Sequence, residues 1–183
     1  MIDPTDGLPR ADEIRTDGLR LTPLVPADVD AFFPVLDDAR LHAFTGGRPD
    51  SLEELHARLG AWSSERSPDG KQAWLNSLVR SADDGRIVGT TQATVERVSG
   101  GLVSVVAWTT ASAEQGRGVA SEAAAAMSTW LVRSGVGRID AHIHPEHAAS
   151  AAVARHLGLA PTDAQVDGET VWRRSVGRPA DAG

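Results

Sequence analysis

Apolar and polar positions change period several times along this chain, and each change marks an element. Residues 19–24 alternate as a strand does. Pro26-Ala27-Asp28 then opens a helical stretch in which Val29, Phe32, Phe33 and Leu36 recur at helical spacing. After a loop with Gly46, Gly47 and Pro49, Ser51 and Glu54 have the spacing of a capping box. They predict a helix to about residue 64, with Leu52, Leu55, Leu59 and Trp62 on its apolar stripe. The middle of the chain reads as an antiparallel meander, with strands over 73–80, 86–98 and 102–109 joined by turn signals at 81–85 and 99–101. Gly116 and Gly118 introduce a long Ala-rich helix to about residue 134. A strand over 138–144, a short helix over 150–156 and a hairpin around Asp167-Gly168 complete the pattern. The hairpin strands are 164–166 and 170–176. Residues 1–16 and 177–183 carry no period, and read as a flexible lead-in and a disordered tail around one domain over 17–176.

Composition narrows the chemistry more than the fold. A chain of 183 residues normally forms one domain with one core. Eighteen basic against 25 acidic residues leave a net charge of −7 and no basic run, which speaks against a nucleic-acid surface. The chain has no cysteine, so disulfides, thiolate metal sites and acyl-cysteine chemistry are excluded. It has no tyrosine either, which removes a common phenolic acid. The acidic, polar start is unlike a signal peptide, and no apolar run approaches the roughly 18 residues of a membrane span. The expectation is a cytoplasmic protein.

The most informative stretch is 103–120, in which a strand is followed by a turn containing Gln115-Gly116-Arg117-Gly118-Val119-Ala120 and a helix. Amides at a helix start lack intrahelical partners and favour an anion; glycines let the backbone approach a phosphate, and Arg117 adds a cation. The plain alternative is a pair of turn glycines with no ligand. Val119-Ala120 rules out a Walker loop, which needs Lys-Ser/Thr there. A dinucleotide fingerprint fits poorly, because the third small position is Ser121 and the loop starts six residues past the strand. The pyrophosphate loop of acyl-CoA transferases, Gln/Arg-x-x-Gly-x-Gly/Ala, is matched at every defined position.

With that loop, the chain resembles the GNAT superfamily of N-acetyltransferases, in the branch similar to RimJ and RimL, the ribosomal-protein alanine acetyltransferases. The resemblance spans about residues 17–176. It rests on Leu19-Arg20-Leu21-Thr22-Pro23-Leu24 with Ala27-Asp28, Ile87-Val88-Gly89, residues 115–123, Ala148-Ala149-Ser150, Val153 and Leu157-Gly158-Leu159. It implies an α/β fold whose mixed central sheet combines an antiparallel meander with a splayed parallel pair, flanked by helices on both faces. It implies acetyl-CoA as cosubstrate, a primary amine as acceptor, no metal, and is compatible with a homodimer. Carried over by position, it implies that Gln115 and the amides of Gly116, Arg117, Gly118, Val119 and Ala120 hold the pyrophosphate. Ala107, Trp108 and Thr109 would pair with the pantetheine arm, and Ser150 would lie near the sulfur. His147 stands where the family usually has Asn in contact with that arm.

The proton acceptor is open between two side chains. His142 alternates with Asp140 and His144 on one face of its strand, and histidine ordinarily titrates near ~6.5, which suits a base at neutral pH. It also falls five residues before His147, where some GNAT members place a catalytic glutamate. Glu96, near the end of a strand next to the cofactor strand, is the second candidate. Glu122, Asp167 and Glu169 read as helix-dipole and turn residues, and Ser150 also reads as a helix cap. The acceptor is expected between segment 44–59, the final hairpin and the His142 strand. Two rival readings stand beside this one: a non-catalytic acyl-CoA-binding module, and a metal site built from His142, His144 and His147.

Overall fold

The structure, a computed structural model, describes residues 7–42 and 49–176. The readings of Gly46, Gly47, the first part of segment 44–59, the tail 177–183 and the lead-in before residue 7 lie outside these residues. From residue 7 on, the lead-in departs from its expectation. Leu8 is buried, and β1 (Ile14–Arg15) pairs antiparallel with β2 (Leu19–Pro23), so the sheet begins before residue 17.

A 3-10 turn from Pro26 leads into α1 (Val29–Leu36), as the proline predicts. At α2 (Leu52–Trp62) the capping box closes both ways. Ser51 Oγ accepts from the Glu54 N–H at 3.2 Å, and Glu54 Oε2 accepts from the Ser51 N–H at 2.8 Å. Leu55 and Leu59 are buried from its stripe, while Leu52 in the first turn is exposed. The meander follows as β3 (Gln72–Ser81), β4 (Ile87–Val98) and β5 (Gly101–Thr110). Then come α3 (Val119–Arg133), β6 (Val136–Ile143), α4 (Ala148–His156), β7 (Ala160–Val166) and β8 (Glu169–Ser175). Positive φ at Asp167 and Gly168, 51° and 83°, gives the predicted tight hairpin turn. β7 starts four residues before its expected position and contains Pro161. As the outermost strand it tolerates a residue that cannot donate a ladder bond.

The strand order is β1-β2-β3-β4-β5-β6-β8-β7, antiparallel throughout except for β5 and β6. This is the expected mixed sheet, with helices on both faces. On one face α3 and α4 bury Ala123, Ala124, Met127, Leu131, Val153 and Ala154 against Leu75, Ala93, Val106, Ile139 and Ala141. On the other, α1 and α2 bury Val29, Phe32, Leu55 and Leu59 against Leu24 and Leu78, so that among the described residues the cover lies on the β2–β4 side. Glu122 ties the start of α3 to the β1–β2 turn. Its Oε1 accepts from Thr16 Oγ1 at 2.5 Å and from the Gly18 N–H at 3.2 Å, beyond the helix-dipole part that the sequence suggests for it.

Candidate functional site

The parallel strands β5 and β6 pair from Leu102 opposite Val136 only as far as Val105 opposite Asp140. Beyond that row the pairing stops, although β5 runs on to Thr110 and β6 to Ile143. The two strands part. The Ala111 N–H donates to the Val88 carbonyl at 2.9 Å, and the β4–β5 register is unbroken. Backbone groups alternate sides along a strand, so Ala107 and Thr109 turn theirs to β4 while Val106, Trp108 and Thr110 turn theirs to the opening. Of the three residues that the sequence groups here, the register singles out Trp108.

Two helices start at the open ends of these strands, α3 after β5 and α4 after β6. At α3, Gly116 and Gly118 have φ of 75° and 84°, and a Cβ built on either meets nothing within 4 Å. Backbone twist, rather than lack of room, calls for glycine at both. The Glu122 N–H donates to the Gly118 carbonyl at 3.0 Å, which leaves the amides of Val119, Ala120 and Ser121 pointing out of the helix end. Residues 115–118 are exposed, and Gln115 Nε2 donates to the Thr110 carbonyl at 3.3 Å. Such an end can seat an anion.

Arg117 is anchored. Its Nη1 lies 2.8 Å from Glu114 Oε2, and the other carboxylate oxygen holds Arg86 Nη1 at 2.6 Å. The Glu114 side chain is 10% exposed, and Arg86 before all else, with Arg117 adding to it, holds its carboxyl below the usual range. The sequence gives one clue to this clamp, the i,i+3 spacing of Glu114 and Arg117. Arg86 gives none.

At α4 the structure corrects the cap. The helix begins at Ala148, and His147 is the N-cap, its Nδ1 accepting from the Ser150 N–H at 3.5 Å. Ser150 is the third helical residue. Serine is the commoner cap and so is favoured on sequence, but the turn at 144–147 sets the entry, where the His147 N–H donates to the His144 carbonyl at 2.9 Å. Burial first, then neighbouring His144, push the His147 imidazole below the ordinary histidine value.

Alternation places Ile139, Ala141 and Ile143 in the core beneath the helices, so Arg138, Asp140 and His142 face the other way. On that face the registers align Trp74, Thr94, Val105, Asp140 and Arg173 in one cross-sheet row, with Val105 37% exposed at its middle. This is the row at which β5 and β6 part. His142 lies two residues toward the opening, level with Ala107 and Gln92. Glu96 lies the other way, level with Val103 and Arg138, and its Oε2 accepts from Gln72 Nε2 at 3.2 Å. Four residues along the strands, about 13 Å, separate Glu96 from His142. In the parting row, Arg173 Nε and Nη2 donate to Asp140 Oδ1 and Oδ2 at 2.8 and 2.7 Å, and Arg138 Nε is 3.4 Å from Oδ2. Asp140 is 5% exposed. This pair braces β6 to β8 where β6 loses β5, and no local signal announces it. His142, His144 and His147 do not converge: His144 Nδ1 accepts from the Glu146 N–H at 3.2 Å, His147 caps α4, and among the described residues no three His, Asp or Glu side chains form a metal-holding group.

Residues 18–160 match the family model of the acetyltransferase (GNAT) domain. The chain belongs to the GNAT acetyltransferase family. No curated protein matches it. Among solved structures, this GNAT chain is similar to a GnaT-family acetyltransferase from Bordetella pertussis. The two are 26% identical over 90% of this chain and 99% of that one, with a TM-score of 0.69. It is also similar to RimL, the ribosomal L7/L12 alpha-N-protein acetyltransferase, in complex with coenzyme A (18% identity, 90% and 98% covered, TM-score 0.74). A third is the microcin C7 self-immunity acetyltransferase MccE with acetyl-CoA and AMP (11% identity, 88% and 94% covered, TM-score 0.72). At those identities the last two share the GNAT fold. No helix of the described GNAT residues is long and apolar enough to cross a membrane.

Proposed function

We propose that this protein transfers an acetyl group from acetyl-CoA to a primary amine, by direct attack in a ternary complex in the cytoplasm. The amine belongs to a protein N-terminus or to a small molecule. The parting of β5 and β6, with the glycine-loop end of α3 at its mouth, is the observation that carries this reading. An extended, amide-bearing arm can pair with the Trp108 backbone on the side where β6 no longer does, and a pyrophosphate can sit on the amides of residues 116–120. RimL and MccE, solved with coenzyme A and with acetyl-CoA, support that choice of ligand.

Acetyl-CoA supplies the thioester; the chain's own groups handle protons and position. We assign His142 as the group that takes the amine proton as the C–N bond forms. It lies on the face that the described helices leave open, one step inside the opening. As the C–S bond breaks, the leaving thiolate takes a proton from the Ser150 hydroxyl, which solvent restores. The Gln72 contact of Glu96 and its distance from the opening favour a place for it outside the reacting centre. No step passes through an acyl-enzyme. Release of the coenzyme A thiol, followed across peptides with free N-termini and small cationic amines, tests the reading. Release must depend on both acetyl-CoA and an amine, and His142→Ala is expected to lower kcat/KM about a hundredfold. Release that ignores the amine, or a His142→Ala variant as active as the parent, overturns it.

A further inference from the structure

Glu114 stands apart from the groups used above. It is a carboxylate with only 10% of its side chain exposed, in the turn just before the glycine loop, and the acyl-transfer chemistry assigns it nothing. It bridges two guanidinium groups from different parts of the chain. Arg117 belongs to the loop itself, and Arg86 immediately precedes β4. Arg86 is brought there by the β4–β5 ladder, where Gly89 lies opposite Thr110 and the Ala111 N–H donates to the Val88 carbonyl. Both arginines remain open to solvent, with 48% and 63% of their side chains exposed. Arg86 uses Nε on Asp84 and Nη1 on Glu114, and Arg117 uses Nη1 on Glu114. Each guanidinium has five N–H donors, so both keep donors to spare at the mouth of the loop.

Resting on the proposed acetyl-CoA reading, we propose that Arg86 and Arg117, held by Glu114, bind the ribose 3′-phosphate of coenzyme A. The chain therefore selects the 3′-phosphorylated donor. Coenzyme A presents two separate anionic groups. The outward amides of α3 suit the pyrophosphate but supply no formal charge for a second phosphate. Guanidinium groups match a phosphate with paired donors, and the pairing is charge-assisted. Glu114 and Asp84 balance the two arginines, so the cluster attracts an anion by directed donors rather than by net charge. Glu114 is then a positioning residue, fixing two long side chains that would otherwise lose rotamer freedom on binding.

Calorimetric titration with coenzyme A and with 3′-dephospho-coenzyme A tests this. The parent protein is expected to bind coenzyme A about tenfold more tightly or better. Arg86→Ala should bring the two affinities together by weakening coenzyme A alone, and Glu114→Gln should shrink the preference while dephospho-coenzyme A affinity holds. Arg86→Lys, which keeps the charge without the fork, should fall between and covers the case where Arg86→Ala fails to fold. Equal affinities in the parent overturn the inference and leave the acetyl-CoA reading standing. So does an equal loss for both ligands in Arg86→Ala, since the clamp would then only stiffen the loop. Binding of neither ligand overturns both.

Discussion

Ser150 and His147 divide two duties that a sequence reading gives to one serine. Because His147 caps α4 and Ser150 sits inside its first turn, removing the Ser150 hydroxyl takes no cap away. Ser150→Ala is therefore expected to lower kcat about tenfold or more while coenzyme A affinity and Tm stay near the parent values. A Tm drop that accounts for the lost activity would return Ser150 to a structural part. His147 makes the cap sensitive to acid. Its folded-state affinity for a proton is below the ordinary histidine value, so the unfolded chain binds that proton more readily. The stability contributed by the neutral ring is complete above the ordinary histidine range, and is lost as pH falls through that range to the folded-state pKa. His147→Asn supplies a cap that does not titrate. Between about pH 7 and about pH 5, the Tm of the parent should fall further than that of His147→Asn. Parallel curves would show that the ring contributes nothing there.

Among the elements, the end of β5 is set by one close approach. A Cβ on Gly89 would lie 2.2 Å from the Thr109 carbonyl oxygen, a backbone atom that cannot swing aside. Gly89→Ala should cost about 1–3 kcal/mol, read from denaturant unfolding. It should also weaken acetyl-CoA binding, because the strand edge that carries Trp108 must move; unchanged stability and affinity together would show that the ladder absorbs the methyl. Elements differ in how far their own residues announce them. The meander, the Ser51–Glu54 box and the Asp167-Gly168 turn depend on neighbours in sequence, and periodicity and turn chemistry recover them. β1 is two residues in a charged stretch, stabilised through Thr16 and Gly18 by a glutamate over a hundred residues away. The start of α4 goes against cap preference, and Pro161 hides the first half of β7. The clamp of Arg86 on Glu114 and the brace of Arg173 on Asp140 join residues 28 and 33 apart. No local pattern encodes either. The site was thus readable as a loop and a set of candidate side chains, but not as the row where the strands part. That row separates His142 from Glu96.

Across the whole molecule, one sheet serves two cores and one opening. α3 and α4 pack on one face over β3–β6, whereas among the described residues α1 and α2 leave the β5–β6–β8 side of the other open, with Val105 at its centre. A cosubstrate entering between the strands from the α3 end and an acceptor lying on that open side would meet at the Val105–Asp140 row. The proposed transfer uses no covalent enzyme intermediate, and the chain has no cysteine to form an acyl-thioester. Its central requirement is that the glycine loop and the parted strands hold coenzyme A. The direct measurement is calorimetric titration of the protein with acetyl-CoA and with free coenzyme A, repeated on Gly118→Val. That substitution forces a β-branched residue to φ of 84° at the start of α3. Both ligands should bind at a single site with affinity on the order of micromolar, and a Gly118→Val variant that is still folded by circular dichroism should lose them. No binding of either ligand to the parent, or unaltered binding to Gly118→Val, would contradict the account.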